Sequence, residues 1–172
     1  MVFESDFTWI VIAPGGAANM PLACEAARAG AWGFVDLEDV RDAEGLQHAL
    51  SALGSDADVP LGVKLDACRR EIWEPLLAAR PPQLTRVILA RPSRSASELR
   101  AMVSGLQRLE LEVLVEAVSV DEAVAAQEAG ADGIVAKGSE AGGRIGDGAD
   151  INRNGQIVGI GRDARFRPDG FE

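Results

Sequence analysis

The sequence predicts an α/β fold of the TIM-type (β/α) barrel class, incomplete at about six βα units and followed by an irregular tail. Three observations predict it. Strand-like apolar runs alternate with helix-like segments at roughly 20–30 residues per unit, the length of a strand plus a crossover helix. Polar side chains stand at the carboxyl ends of nearly all strands, as on the active-site face of a barrel. The 172 residues are about two thirds of the ~250 that eight units need.

The predicted strands are short runs rich in β-branched and aliphatic residues, bounded by Gly, Pro or polar clusters. They are residues 8–13, 31–37, 61–65, 86–90, 111–118 and 131–137. The helical segments between them are residues 19–30, 44–53, 71–79, 96–109 and 119–130. This alternation predicts a parallel sheet, either doubly wound and open or closed as a barrel. Polar residues at most strand ends favour the barrel, since an open sheet gathers them only near its switch point.

Local signals mark where several helices begin and end. Asn19 is a predicted N-cap with Pro21 in the first turn, and Gly30 closes that helix. Pro81-Pro82 is predicted to break the third helix. Two pairs have the spacing of a capping box: Ser95 with Glu98, and Ser119 with Glu122.

Composition and charge exclude several classes of function. The chain has 17 basic and 27 acidic residues and a net charge of −10, which argues against a nucleic-acid partner. The apolar run at residues 9–13 is too short for a signal or membrane segment, so we expect no membrane association and a cytoplasmic protein. Cys24 and Cys68 lack metal-ligand or redox spacing, so both are expected to be reduced, buried apolar fillers.

Patterns of common hydrolases and nucleotide-binding proteins are missing from the sequence. It contains neither a G-x-x-x-x-G-K-[ST] phosphate loop nor a G-x-S-x-G turn. The only histidine, His48, falls in the second helical segment, where a structural or solvated role is expected. Residues 150–155 match the start of a calcium loop, but Gly161 stands where such a loop needs a bidentate carboxylate. We interpret that segment as a polar turn and predict no metal site.

The stretch at residues 131–146, ADGIVAKGSEAGGRIG, is the most specific candidate for a site. A short apolar strand ends at Lys137, and a loop containing Gly138, Gly142 and Gly143 follows. Glycine lets a backbone turn sharply or approach a ligand closely, because it has no Cβ. A surface turn after a buried strand is the alternative interpretation.

Charged residues at other strand ends form a second group of candidates. Lys64 ends the third strand, where it either faces a ligand or pairs with Asp66 or Glu38. The strand-end carboxylates of Asp36, Glu38 and Glu116 have the chemistry for general acid–base work. They are also what the charged rim of any barrel contains, and we favour the rim.

Two motifs make the chain similar to the nitronate monooxygenase family, formerly called 2-nitropropane dioxygenases, which includes flavin-dependent enoyl-acyl-carrier-protein reductases. VIAP at residues 11–14 resembles a first-strand signature of that family, and AKGSEAGG at residues 136–143 resembles a later, more specific one. The run ending in Gly142-Gly143-Arg144 also resembles barrel domains of polyketide or polyunsaturated-fatty-acid synthases. The resemblance covers about residues 7–146 and implies FMN-barrel-like units at residues 1–146. Residues 147–172 form the irregular tail, interpreted as a degenerate or truncated seventh unit.

By position, the resemblance implies a flavin-site role for several residues. Pro14 and Gly15 would approach FMN from the first strand, and Lys64 would reach the isoalloxazine or its ribityl chain. Lys137 replaces a glutamine of many members and would stabilise the anionic reduced ring. Three glycines would let the main chain pass close to the ring: Gly138, Gly142 and Gly143.

Arg144 stands where the family has its catalytic histidine. Arginine stays protonated at neutral pH and cannot take a proton from a nitroalkane or nitronate. Arg144 is therefore expected to anchor an acidic substrate group or the phosphate of an acyl carrier. The resemblance implies a small nitronate or an enoyl thioester as substrate, with an acyl carrier domain as a partner.

The segment after residue 146 contains no recognisable loop for the flavin phosphate, so we expect this chain alone to bind FMN weakly or not at all. The alternative function is a catalytically inactive barrel remnant with a structural or docking role. An incomplete barrel exposes edge strands, which predicts a homo-oligomer.

Overall fold

Six parallel strands in sequential order form the scaffold of the chain. The computed structural model describes residues 8–93 and 95–138, and the structural statements that follow concern those residues. The strands are β1 Ile10–Ala13, β2 Trp32–Asp36, β3 Leu61–Asp66, β4 Leu84–Ala90, β5 Glu112–Ala117 and β6 Gly133–Ala136. Each strand pairs in parallel with the next, in the order β1-β2-β3-β4-β5-β6. An order without reversal is the winding of a barrel, and the sheet curls into a half-barrel.

Each crossover between consecutive strands contains one α-helix. The helices are α1 Met20–Arg28, α2 Ala43–Asp56, α3 Arg70–Leu77, α4 Ala96–Gln107 and α5 Val120–Glu128. Short 3-10 turns at Gly16–Asn19 and Ala67–Arg69 precede α1 and α3. Because right-handed crossovers running in one direction place all helices on one side of the sheet, the opposite side becomes the inner face of the barrel. The predicted incomplete (β/α) barrel is confirmed, and the doubly wound alternative is wrong.

The two faces of the sheet bury different apolar side chains, as the two-residue period of a strand requires. Toward the helices, Val63 and Val113 are fully buried in a core that includes residues of all five helices. The inner face carries a smaller cluster formed by Phe34, Ile88 and Leu114. The inner face is therefore packed along its middle, which leaves the strand ends as the place for polar groups.

Two strand glycines allow close packing, one on each face. A Cβ at Gly33 would lie 2.1 Å from the backbone oxygen of Ala23, so glycine lets α1 approach β2 closely. A Cβ at Gly62 would lie 2.1 Å from the ring of Phe34. The Phe34 ring thus occupies the space that a larger residue at Gly62 would need.

The predicted helix ends are confirmed in part. The backbone amide of Glu98 donates to Ser95 Oγ (3.4 Å), and that of Glu122 donates to Ser119 Oγ (3.2 Å). Gly30 follows α1 with a φ of 90°, a left-handed conformation common at helix ends. Asn19 is the N-cap residue of α1, as predicted, but its side chain makes no capping hydrogen bond, and its amide donates to the Pro14 carbonyl oxygen at 2.6 Å. The chain enters α1 through the preceding 3-10 turn, in which the Met20 amide donates to the carbonyl oxygen of Ala17.

The predicted burial of the two cysteines and the predicted exposure of the histidine are confirmed in part. Cys24 is buried in α1, whereas Cys68 is exposed, so its predicted burial is wrong. Cys68 lies in the turn beyond the end of β3, outside the regular packing of strand and helix. His48 is exposed on α2, in agreement with a solvated role. Within residues 8–93 and 95–138, no helix is both long and apolar enough to cross a bilayer.

Candidate functional site

A buried lysine lies near the carboxyl end of β3. Leu61 and Leu65 pack toward the helices, so the alternate residues Gly62, Lys64 and Asp66 belong to the inner face. Because β3 is a central strand, all six of its residues are buried, and Lys64 is only 5% exposed. A charged group this deep requires compensating partners.

Side chains from neighbouring strand ends supply those partners. Lys64 Nζ lies 2.7 Å from Glu38 Oε2, 3.3 Å from Glu116 Oε1 and 3.7 Å from Asp36 Oδ2. Lys137 Nζ lies 3.1 Å from the same oxygen of Glu116. We call Asp36, Glu38, Lys64, Glu116 and Lys137 the inner ionic cluster. Residues within β2, β3 and β5, together with residues just after β2 and β6, therefore converge on one charged site at the carboxyl ends of the strands.

In two residues of the cluster, Lys64 and Glu38, the pKa is shifted toward the charged form. Burial acts to lower the pKa of Lys64, but the hydrogen bond to Glu38 and the charges of Glu116 and other carboxylates raise it above its usual value. Burial likewise acts to raise the pKa of Glu38, but Lys64 and Arg91 outweigh it and hold that pKa below its usual value. Lys64 is thus a fixed cation, unsuited to act as a nucleophile or to accept a proton.

Glu116 is the least exposed charged residue of the cluster, at 1%. Its Oε1 atom is shared between Lys64 and Lys137, while its Oε2 atom is buried with no hydrogen-bond partner among the described residues. Glu116 therefore belongs to the group of charged strand-end residues but is buried rather than exposed to solvent. Glu116 lies two residues beyond Leu114 on β5, so its side chain belongs to the inner face of the sheet.

Arg91 closes one side of the cluster. It follows β4 with a φ of 51°, and its Nε lies 2.9 Å from Glu38 Oε1 while a terminal nitrogen lies 3.8 Å from Asp66 Oδ2. A positive φ at a non-glycine residue is uncommon and costs backbone energy, so surrounding contacts must hold it. The Arg91 side chain is half exposed, which makes it the link between the buried cluster and the surface.

A groove of about 650 Å³ opens beside Arg91, lined by residues that follow β3, β4 and β5. Its volume lies within the range of small-molecule sites, roughly 300–1,000 Å³. Charged and polarisable side chains line it, among them Cys68, Arg70, Glu98, Met102 and Glu122. The groove is on the same end of the sheet as the cluster, where barrel proteins bind ligands.

The predicted site residues fall into three groups. Lys64 and Lys137 come together through Glu116. Pro14 and Gly15 lie at the carboxyl end of β1, exposed, with Gly15 in the left-handed region at a φ of 80°. Gly138 follows Lys137, and a Cβ there would meet nothing within 4 Å. Within residues 8–93 and 95–138, no atom therefore packs closely against the position of a Gly138 side chain.

Three predicted residues lie outside the described part of the chain: Gly142, Gly143 and Arg144. The calcium-loop-like segment at residues 150–155 also lies outside it. Among the residues that the structure describes, no group of three or more His, Cys, Asp or Glu side chains is arranged to hold a metal ion.

Sequence reasoning missed the importance of Glu116 and Arg91. Both were visible as charged residues at strand ends, which is the signal that identified Lys64 and Lys137. The pairing of Glu116 with both lysines depends on how the strands are staggered. The positive φ of Arg91 could not be predicted, because no sequence pattern marks a non-glycine residue for that conformation.

The fold and this cluster define the class of protein: an incomplete (β/α) barrel with a buried ionic site at the carboxyl ends of its strands. No protein-family profile and no curated protein sequence matches the chain. Solved structures share its fold, among them the following two. A point mutant of FabK from Thermotoga maritima has a TM-score of 0.61 and 23% identity, covering 78% of this chain and 45% of that one. Nitroalkane oxidase from Streptomyces ansochromogenes has a TM-score of 0.58 and 24% identity, covering 86% and 51%.

Both solved structures are of the kinds that the sequence motifs suggested. At these identities the likeness establishes the fold. The chain spans about half the length of the two structures that it matches.

Proposed function

We propose that this chain is an FMN-dependent oxidoreductase domain of the nitronate monooxygenase/enoyl reductase type, acting on a small nitronate or an enoyl thioester. The observation that carries the proposal is the inner ionic cluster, which holds a fixed buried cation at the carboxyl ends of the strands. The fold shared with FabK and nitroalkane oxidase supports it, as do the two sequence motifs.

The chemistry of the cluster fits a flavin. An isoalloxazine presents carbonyl oxygens and ring nitrogens along one edge, and its reduced form carries negative charge there. Lys64 and Lys137 each have an ammonium group with three N–H donors, and both are nearly buried. Lys137 contacts one carboxylate of the cluster and keeps N–H donors for such an edge, whereas three carboxylates offset much of the charge of Lys64.

FMN, when bound, supplies electron or hydride transfer, and the residues of this chain bind and orient it. Lys137 and Lys64 would face the negative charge of the reduced ring, and Glu116 holds the two ammonium groups in place. Arg144 anchors an acidic substrate group, such as a carboxylate or the phosphate of an acyl carrier domain. Because arginine cannot accept the proton, oxidation of a nitronate here would not use a histidine-type base.

Titration of the purified chain with FMN tests the proposal. Because the chain lacks a recognisable phosphate loop, we expect weak binding, measured as quenching of flavin fluorescence at high FMN concentration. We expect Lys64→Met to weaken this binding at least about tenfold, the effect of losing one charge-assisted hydrogen bond. Arg70→Met is the matched control, because it removes a cation outside the inner ionic cluster, in the groove beside Arg91. A chain that stays colourless and ignores added FMN supports the alternative, an inactive barrel remnant with a structural or docking role.

A further inference from the structure

The groove of about 650 Å³ beside Arg91 combines charges of both signs with an apolar floor. Two arginines and two glutamates line it: Arg70, Arg91, Glu98 and Glu122. Ala67 and Met102 also line the groove, and both are buried members of the main hydrophobic core. A simple anion or cation would meet like charges here as well as opposite ones, which lowers its affinity. The complementary ligand carries both charges around an apolar body.

Arg70 and Glu98 are the two lining charges with unused hydrogen-bonding capacity. Arg70 begins α3 and Glu98 lies in the first turn of α4, so they come from different helices. Arg70 donates to Glu74 through Nε and one terminal nitrogen, and Glu98 Oε2 accepts from the Ser93 hydroxyl at 2.5 Å. The other terminal nitrogen of Arg70 and Oε1 of Glu98 have no hydrogen-bond partner within the part of the chain that the structure describes.

The charges of Arg70 and Glu98 lie close enough to affect each other. The hydrogen bond to Glu74 raises the pKa of Arg70 above its usual value, and the charge of Glu98 adds to the rise although burial opposes it. The pair formed by Arg70 and Glu74 is partly exposed and lies four residues apart on one helix, so it contributes little to stability. A ligand carboxylate can therefore take the place of Glu74 on the Arg70 guanidinium at small cost.

We propose that this groove binds a small zwitterion with an apolar body, an aliphatic amino acid or a short peptide. The ligand ammonium group binds Glu98, the ligand carboxylate binds Arg70, and the aliphatic part packs on Ala67 and Met102. The inference concerns a second site and does not depend on the proposed function, because neither Arg70 nor Glu98 belongs to the inner ionic cluster.

Cys68 reports occupancy of the groove on the unaltered chain. It is exposed and lines the groove, whereas Cys24 is buried, so iodoacetamide should modify Cys68 first. Leucine and leucyl-leucine are the two zwitterionic probes. A probe at about ten times its Kd leaves roughly a tenth of the grooves empty, so we expect it to slow the modification about tenfold. Protection by leucine assigns an amino acid, and protection by leucyl-leucine alone assigns a peptide. If neither probe slows the reaction, the inference is overturned.

Blocking either charge of the effective probe tests the recognition directly. Acetylation removes the ammonium charge, and conversion of the carboxylate to an amide removes the negative charge. Each blocked probe should bind at least about fivefold more weakly, the effect of losing one charge-assisted contact. Equal protection by the blocked and unblocked probes would contradict the assignment.

Glu98→Gln supplies the matching change in the protein. Glutamine keeps an acceptor for Ser93 but loses the charge, so the variant should fold and bind the zwitterion at least about fivefold more weakly. Its affinity for the acetylated probe should be unchanged. Glu71→Gln is the control, because Glu71 lies in the first turn of α3 and does not line the groove. An equal loss in both variants would reflect overall charge and would overturn the inference.

Discussion

Lys64 is held by carboxylates at the carboxyl ends of two other strands, whereas Arg70 pairs with Glu74 on the surface of one helix. Removing one partner of a buried ion pair leaves uncompensated charges, which costs about 3–5 kcal/mol. Removing one partner of an exposed pair four residues apart costs about 0.5 kcal/mol or less.

We therefore expect Lys64→Met to lower the free energy of unfolding by about 3–5 kcal/mol, and Arg70→Met by about 0.5 kcal/mol or less. The two substitutions remove a cation and keep an unbranched side chain of similar length. Urea denaturation followed by circular dichroism measures both values. A similar cost for the two would mean that solvent reaches the inner ionic cluster.

The acid side of the stability curve depends on Glu38. Burial acts to raise its pKa, but Lys64 and Arg91 outweigh burial and hold the pKa below the usual value of 4.5. A carboxyl whose pKa is depressed by folding contributes stability that is fully present above its unfolded pKa and is lost as the pH falls through its folded pKa. The contribution of Glu38 should thus be constant near neutral pH and decline below about pH 4.5.

The comparison that checks this is unfolding free energy as a function of pH for the unaltered chain and Glu38→Gln. The variant should be less stable near neutral pH and should lose less stability between about pH 5 and 3, because glutamine does not titrate. Curves that stay parallel through this range would contradict the assigned role.

At the scale of the element, close packing on the inner face depends on Gly62. A Cβ there would lie 2.1 Å from the Phe34 ring, which is fully buried against Ile88 and Leu114 and has little room to move. We expect Gly62→Ala to destabilise the chain by about 1–3 kcal/mol through overpacking. Gly105→Ala is the control, because its Cβ would meet only Arg108 at 3.8 Å in α4. It should gain about 0.5–1 kcal/mol. Thermal unfolding distinguishes the opposite signs.

The strands and helices were predictable because each carries its own local signal. Apolar runs of the right length gave the six strands, and Ser95 and Ser119 marked two helix starts correctly. Asn19 failed as a side-chain cap because a 3-10 turn before α1 redirects its amide to Pro14. A turn of this kind depends on two left-handed glycines, Gly15 and Gly16, whose conformation the sequence permits but does not specify.

The candidate site was predictable only as a set of strand-end charges. Lys64 aligns with Ile88 of β4, and Ile88 aligns with Leu114 of β5, so Glu116 lies two residues beyond the rung of Lys64. The ion pair that joins them crosses β4 because the strands of a barrel are tilted and staggered. Stagger is a property of the assembled sheet, which explains why the shared role of Glu116 could not be inferred from residue spacing.

At the scale of the whole molecule, the sheet has two ends. β1 and β6 each pair with one strand within the described part of the chain, and apolar residues of both strands are only partly buried. Unpaired strand edges with apolar side chains promote association between chains. We expect the chain to form a homo-oligomer through these edges, with a second copy covering part of the inner face.

Light scattering over a dilution series measures the association. A lysine placed on the edge strand opposes pairing, so Val135→Lys on β6 should shift the chain toward monomer while its circular dichroism spectrum is retained. Leu22→Lys is the control, since Leu22 is 52% exposed on α1, away from both edges, and should leave the association unchanged. A chain that is monomeric at all concentrations, or one that both lysines dissociate equally, would refute association through the strand edges.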